Sequence, residues 1–305
     1  MRLFPPITLV LLLAACGASG PRTPAAGEKL RVLATTPHLA ALAMAVAGED
    51  AHVELLPPEG KTSHDFEPAM ADRKRLEQAH LLLANGLALE GYDCAKLAEA
   101  ASLRWVDCSA GIPDAFLLKA GAEEAGHSHG GRAQGTHNPH VWLSVEGALY
   151  QLAAVTDAFV AGDAGHAEGY RTRSRALADR LKALRDEFAP RLAALPGKAF
   201  VSNHDAFPYF AREFGLSQVG VIQRVPGVNP TLEQRRELEA RIRDSKARAI
   251  FLEPGYDDAA SEAIARNAGV KLAVLDPFDS GKPAPDALEK ALRANLETVL
   301  KTLGD

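Results

Sequence analysis

Short apolar segments typical of strands alternate with amphipathic segments typical of helices, in two separate blocks of the chain. This alternation constrains the fold more than any other feature, because strands that alternate with helices form βαβ units around a parallel sheet. A chain of 305 residues is long enough for two domains of ordinary size. We therefore expect an α/β protein with two parallel-sheet lobes.

A single long helix is predicted between the two blocks. The apolar positions of this segment recur at spacings of three and four, at Leu177, Leu181, Leu184, Phe188 and Leu192. A helix of about thirty residues is about 45 Å long, which exceeds the width of a small domain. The sequence thus predicts a linking helix over 164–196, an N-terminal lobe over 29–163, a C-terminal lobe over 197–305 and a cleft between the lobes.

The first residues have the features of an export signal. An arginine at position 2 precedes an apolar run over 7–15, which is too short to span a bilayer. Small residues before a cleavage point are typical of a secretory signal, and Cys16 directly after them resembles the bacterial lipobox. We expect a signal peptide over 1–15, a lipid on Cys16, a flexible tether over 16–28, and a location in the periplasm or cell envelope. A plain signal peptide with an incidental cysteine is the alternative.

Charge and cysteine content narrow the partners and the covalent chemistry. The net charge of −5 argues against nucleic acid as a partner. Beyond Cys16 the chain has two cysteines, Cys94 and Cys108. An oxidising compartment would allow them to form a disulfide, but the sequence does not give their separation, so this pairing stays open.

Four candidate metal ligands follow predicted strands. Parallel sheets bind their ligands beyond the carboxyl ends of the strands, and the first block places His64 and His140 there. The second block places His204 and Asp276 at equivalent positions. Three imidazoles and a carboxylate suit a tetrahedral transition metal such as zinc, whereas calcium or magnesium would require mostly oxygen ligands. The sequence predicts a divalent transition-metal site across the cleft.

A loop over 126–137 contains His127, His129 and His137. We interpret it as a weak auxiliary site that collects metal near His140, and a polar loop with incidental histidines is the alternative.

Three further residues are candidates for contacts with the ligand residues rather than with the metal itself. Glu253 ends a strand and could bond near the site, and His38 lies just after the first strand, where a structural role is favoured. Asp205 could orient an imidazole, because metal-bound histidines donate their second N–H, or could cap the following helix.

Several short motifs carry a resemblance to a known family. They are His64-Asp65-Phe66-Glu67-Pro68, Asn85-Gly86-Leu87-Ala88-Leu89-Glu90, Pro139-His140-Val141-Trp142-Leu143, His204-Asp205-Ala206-Phe207-Pro208-Tyr209-Phe210, Phe251-Leu252-Glu253-Pro254 and Leu275-Asp276-Pro277. In this order they resemble the zinc and manganese solute-binding proteins of bacterial ABC importers (cluster A-I). The resemblance implies two α/β lobes bridged by one long helix, with metal ligands at the positions of His64, His140, His204 and Asp276. The third ligand tends to be His in zinc importers and Glu in manganese importers, so His204 indicates Zn2+ over Mn2+.

The resemblance also implies the function and the partners. It implies an extracytoplasmic protein, monomeric and held by its lipid, that captures zinc for an ABC permease in the cytoplasmic membrane, with a metallochaperone as a further partner. The alternatives are a manganese or iron binder of the same fold and an adhesin-type lipoprotein with a structural metal. A metallohydrolase is disfavoured because four protein ligands would close the site, and the sequence lacks His-Glu-x-x-His and Gly-x-Ser-x-Gly. We therefore expect no enzyme activity.

Overall fold

The structure is a computed structural model, and it describes residues 20–121, 135–223, 228–255 and 259–304. Within these ranges the chain forms two α/β lobes and one long helix, as the sequence predicts. None of the helices in these ranges combines the length and the apolar character that a membrane span requires.

The N-terminal lobe contains a four-stranded parallel sheet covered by helices. Its strands are β1 (Leu30–Ala34), β2 (Ala51–Leu55), β3 (Leu81–Ala84) and β4 (Arg104–Asp107). Its helices are α1 (Pro37–Ala47), α2 (Arg73–Gln78), α3 (Cys94–Ala100) and α4 (Val145–Gly162). The strand order is β2-β1-β3-β4. Ser144 begins α4, because its hydroxyl accepts a bond from the Gly147 backbone N–H at 3.1 Å.

The linking helix α5 (Ala167–Ala193) is shorter at both ends than the predicted span of 164–196, and a short 3-10 turn, Ala164–His166, precedes it. The five apolar positions that predicted this helix are all buried. They belong to one hydrophobic cluster that extends from Leu30 in the first lobe to Leu303 in the second. The two lobes therefore share a continuous core along α5.

The C-terminal lobe repeats the arrangement of the first. Its strands are β5 (Ala199–Ser202), β6 (Ser217–Val221), β7 (Ala249–Leu252) and β8 (Lys271–Val274). Its helices are α6 (Pro208–Glu213), α7 (Leu232–Ser245), α8 (Ala259–Ala268) and α9 (Ala287–Gly304). The strand order β6-β5-β7-β8 matches that of the first sheet, and all pairings are parallel. Thr231 forms a capping box with Gln234 at the start of α7.

The two cysteines do not form the disulfide that the sequence left open. Cys94 packs in a cluster with Leu82, whereas Cys108 packs in the cluster that contains Leu83. Because neighbouring residues of a strand point to opposite faces of its sheet, the two cysteines lie on opposite sides of the first sheet.

Residues 20–28, the described end of the predicted tether, are attached to the N-terminal lobe. The Arg22 guanidinium donates to the Leu76 carbonyl at 3.1 Å and to the Ala101 carbonyl at 2.8 Å. The Arg22 backbone N–H donates to the Ser102 carbonyl at 3.1 Å. Leu76 and Ala101 lie near the C-terminal ends of α2 and α3, where the helix dipole favours a cation. This end of the segment is thus fixed rather than free.

Candidate metal centre

Three of the four predicted ligands meet between the lobes. The Nε2 atom of His140 lies 3.2 Å from His64 Nε2 and 3.3 Å from His204 Nε2. One nitrogen from each residue lies within 4.8 Å of the other two. Nitrogens at about 2.0–2.1 Å from a tetrahedral zinc ion are about 3.3 Å apart, so this spacing suits such an ion.

Each histidine reaches the centre from a different loop at the carboxyl end of a strand. His64 lies in the loop after β2, and the hydroxyl of its neighbour Ser63 donates to the Thr35 carbonyl at 3.2 Å. His140 precedes the 3-10 turn that leads into α4, and His204 lies two residues beyond the end of β5. The general rule for ligand sites in parallel sheets therefore applies to both lobes.

Burial and mutual repulsion favour the neutral form of His64 and His140. Burial, followed by the nearby charge of His204, lowers the pKa of His64 to about 4. Burial, with contributions from His204 and His64, holds the pKa of His140 well below its usual range. A neutral imidazole has a free lone pair, so at pH 7 these two rings are ready to bind a cation without first losing a proton.

The ring of His204 is oriented by Glu253. The Glu253 carboxylate accepts a bond from His204 Nδ1 and another, at 3.3 Å, from the His204 backbone N–H. With Nδ1 occupied as a donor, Nε2 carries the lone pair that faces the other two rings. Glu253 therefore bonds directly to one of the three converging histidines.

The ring of His140 is oriented by Asn138, a residue that the sequence analysis missed. Asn138 Oδ1 accepts from the His140 backbone N–H at 3.0 Å and from His140 Nδ1 at 3.1 Å. The signal was present in the Asn138-Pro139-His140 sequence, because an asparagine side chain commonly bonds to the backbone two residues further on.

Asp205 takes neither of its two predicted roles directly. Its carboxylate accepts from Asn138 Nδ2 at 3.3 Å and from Gln218 Nε2 at 2.7 Å, rather than from an imidazole. The helix that follows, α6, has no side-chain cap. Asp205 therefore acts one step further from the centre, on the residue that orients His140.

His38 is a buried residue of the N-terminal lobe. Its ring is buried and stacks on Trp142, with centroids 3.8 Å apart. Its Nε2 lies 3.1 Å from Asn85 Oδ1, and burial lowers its pKa to about 3. Trp142 lies between His38 and His140, so His38 supports the wall behind the centre.

The structure does not bring Asp276 into the histidine group. Its carboxylate accepts from the Phe278 backbone N–H at 2.7 Å, within a turn where Phe278 has a left-handed φ of 52°. Asp279, on the far side of this turn, is only 7% exposed. Burial raises the pKa of Asp279 to about 6, and the nearby charge of His204 opposes that shift. The sequence analysis did not consider Asp279.

The auxiliary loop can be compared with the structure in part. His127 and His129 lie outside the described residues. His137 Nδ1 lies 3.0 Å from the Thr136 hydroxyl, and its backbone pairs with Lys119. Among the described residues, His137 is not in the group formed by the three central histidines.

Two α/β lobes with three imidazoles converging between them define a bilobed solute-binding protein whose solute is a metal ion. Residues 32–302 match the family described as zinc-uptake complex component A, periplasmic (ZnuA). The chain belongs to this family.

Relatives bind more than one metal. The zinc-binding lipoprotein AdcA of Streptococcus pneumoniae is 29% identical over 90% of this chain, which spans 56% of AdcA. The manganese ABC transporter substrate-binding lipoprotein PsaA of Streptococcus mitis is 26% identical, with 96% of this chain and 95% of PsaA covered. The solved structure of FpvC from Pseudomonas aeruginosa in complex with Mn2+ matches with a TM-score of 0.80 at 26% identity, covering 90% of this chain and 99% of FpvC. The chain is a metal-binding substrate-binding protein of the ABC transporter type.

Proposed function

We propose that this protein captures zinc outside the cytoplasm and delivers it to the membrane permease of an ABC importer. The observation that carries the proposal is the group of three imidazoles. In this group His140 Nε2 lies 3.2 Å from His64 Nε2 and 3.3 Å from His204 Nε2. Imidazole ligands bind zinc more tightly than manganese, and His204 supplies an imidazole where a carboxylate would favour manganese. Manganese is the competing cargo, since PsaA and FpvC are named with it.

We further propose that Asp279, rather than Asp276, supplies a carboxylate to the bound ion. Asp279 is buried and interacts with the charge of His204, while the Ser63 hydroxyl next to His64 donates to the Asp279 carbonyl at 3.4 Å. The Asp276 carboxylate is instead engaged by the Phe278 backbone N–H. Asp276 holds the turn that carries Asp279 in this proposal.

The anchor and the auxiliary loop belong to the same proposal. AdcA and PsaA are named as lipoproteins, which supports export by a signal over 1–15 and lipid attachment at Cys16. We propose that the loop over 126–137 collects zinc weakly through its histidines. We also propose that the N-terminal lobe comprises residues 29–163 and the C-terminal lobe residues 197–305.

The direct test of the zinc site replaces His204 with alanine. His204→Ala should lose at least about tenfold in zinc affinity, because the ion loses one ligand and Glu253 loses its partner. The matched control is His52→Ala, since His52 is exposed on β2, and this variant should bind zinc like the parent protein. Isothermal titration with zinc measures both variants. Parent-like binding by His204→Ala would show that zinc is held elsewhere.

A further inference from the structure

The side chain of Asn138 connects the two lobes directly behind the metal centre. Asn138 is fully buried and belongs to the N-terminal lobe, two residues before His140. Its Nδ2 donates to the backbone carbonyl of Asp205 at 2.6 Å and to the Asp205 carboxylate at 3.3 Å. Asp205 follows His204 in the C-terminal lobe. The Asn138 amide thus contacts His140 in the first lobe and Asp205, the neighbour of His204, in the second lobe.

The backbone of Asn138 is held across the same boundary. The Tyr209 hydroxyl, from α6, donates to the Asn138 carbonyl at 3.0 Å and accepts from the Leu118 backbone N–H at 2.9 Å. The Asn138 backbone N–H donates to the Leu118 carbonyl at 2.8 Å. The contact of Asn138 with the ring of His140 is made by its side-chain amide and not by its backbone.

A primary amide has one acceptor end and one donor end, so its orientation decides what it offers to His140. Both contacts at the donor end of Asn138 go to Asp205 in the other lobe. These contacts direct Oδ1 towards His140 Nδ1, which leaves Nε2 to face the other imidazoles. If the lobes separate, the amide loses the contacts that select this orientation.

We propose that Asn138 is a positioning residue that makes the ligand geometry of His140 depend on contact between the lobes. This inference rests on the proposed function, because it concerns the same metal centre. A partner that pulls the lobes apart lowers metal affinity without touching a ligand, and bound metal in turn stabilises the contact between the lobes. Capture and release are thereby coupled to the Asn138–Asp205 contact.

The test is Asn138→Asp, a substitution of nearly the same shape that separates two explanations. A carboxylate is a stronger acceptor than an amide for His140 Nδ1, so a residue that served only as an acceptor would hold zinc at least as well after the change. Under our proposal the new carboxylate faces the carbonyl and carboxylate of Asp205 and repels both. Zinc should then dissociate at least about tenfold faster. The dissociation rate is measured by transfer of zinc from the loaded protein to an excess of a chromogenic chelator.

Tyr209→Phe is the matched control, because it removes the bond from α6 to the Asn138 carbonyl and leaves the contact of the Asn138 side-chain amide with Asp205 intact. It should lower the thermal stability of the metal-free protein while zinc dissociation stays within about threefold of the parent rate. Equal acceleration by both variants would overturn the proposal, since general loosening of the boundary would then suffice. So would an Asn138→Asp variant that releases zinc no faster than the parent.

Asp205→Ala gives the same test if Asn138→Asp fails to fold, because it leaves Asn138 in place and removes one acceptor of its amide. Its zinc dissociation should be about three- to tenfold faster, and an unchanged rate would overturn the proposal. The parent protein separates this inference from the proposed function. If the parent binds zinc and both Asn138→Asp and Asp205→Ala release it at the parent rate, the positioning role alone is overturned, whereas a parent that binds no zinc overturns both.

Discussion

At the scale of single residues, the three histidines are held in different ways. His204 donates to the carboxylate of Glu253, and His140 donates to the amide of Asn138. His64 is only half-buried and lies on the loop after β2. A carboxylate partner makes an imidazole a stronger donor to a metal than an amide partner does. We therefore expect His204 to contribute most to zinc affinity.

The two aspartates after β8 give a prediction that separates a ligand from a turn residue. Asp279→Asn should reduce zinc affinity at least about tenfold, because a neutral amide is a poorer metal ligand than a carboxylate. Asp276→Asn should keep zinc affinity near that of the parent and cost about 1 kcal/mol of stability or less, since an amide oxygen can still accept from Phe278. Titration with zinc and urea unfolding measure the two effects. The reverse result would restore Asp276 as the ligand.

The lowered pKa of His38 makes the free energy of unfolding depend on pH. Its pKa is about 3 in the folded chain and 6.5 is the ordinary value, so below pH 6.5 the unfolded chain binds more protons at this site. The stabilisation is complete above pH 6.5 and is lost as pH falls towards 3, by about 2 kcal/mol between pH 7 and pH 5. His38→Phe keeps the stacking on Trp142, and Asn85 Oδ1 keeps a bond from Gln151 Nε2 at 2.8 Å.

In metal-free protein, the free energy of unfolding of His38→Phe should therefore fall by about 2 kcal/mol less than that of the parent between pH 7 and pH 5. Urea unfolding at the two pH values measures the difference. The control His52→Phe replaces an exposed histidine and should follow the parent. Parallel pH curves for the parent and His38→Phe would show that His38 does not carry this dependence.

At the scale of elements, periodicity in the sequence predicted most of the architecture, because each helix and strand buries one face. The spacing of Leu177, Leu181 and Leu184 located α5. The linking helix begins later than expected because the turn Ala164–His166 is of the 3-10 type. Residues at helix ends have few intrahelical bonds, so their conformation depends on neighbours that the local pattern does not reveal.

Sequence reasoning located candidate ligands well where they lie close to the end of a strand. It was less successful where a turn separates the strand from the candidate ligand. His204 lies two residues after β5, and the rule of strand ends found it. The same rule selected Asp276 and, under the proposal above, missed Asp279, because it could not foresee the left-handed turn at Phe278. Asn138 was missed because its role depends on Asp205, which is 67 residues away in the sequence.

The position of α5 in the shared core predicts how the lobes unfold. Leu184 is 1% exposed, so Leu184→Ala should cost about 2–5 kcal/mol through lost burial and a new cavity. Because the cluster around Leu184 spans both lobes, calorimetry should show one transition that moves to lower temperature as a unit. Leu232→Ala, at a position 65% exposed, should shift stability by about 0.5 kcal/mol or less. Two separate transitions would show that the lobes unfold independently.

At the scale of the whole molecule, the continuous core limits the motion that can accompany metal capture. Each sheet contributes ligand loops at its carboxyl edge, and α5 fixes the two sheets through one hydrophobic cluster. Opening of a wide hinge would break this core, whereas a slight tilt would change only contacts at the boundary, such as that of Trp142 Nε1 with the Pro277 carbonyl at 2.8 Å. We expect small tilts and loop adjustments during capture and release.

The central claim is that the three imidazoles form a zinc-selective site, and competition between zinc and manganese tests it most directly. The metal-free protein is titrated with each ion, then with zinc in the presence of excess manganese, and the bound metal is measured by elemental analysis. We predict one tightly bound zinc per chain and at least about tenfold weaker binding of manganese, because imidazole ligands favour zinc. Manganese binding as tight as zinc binding, or tight zinc binding that persists in His204→Ala, would contradict the account.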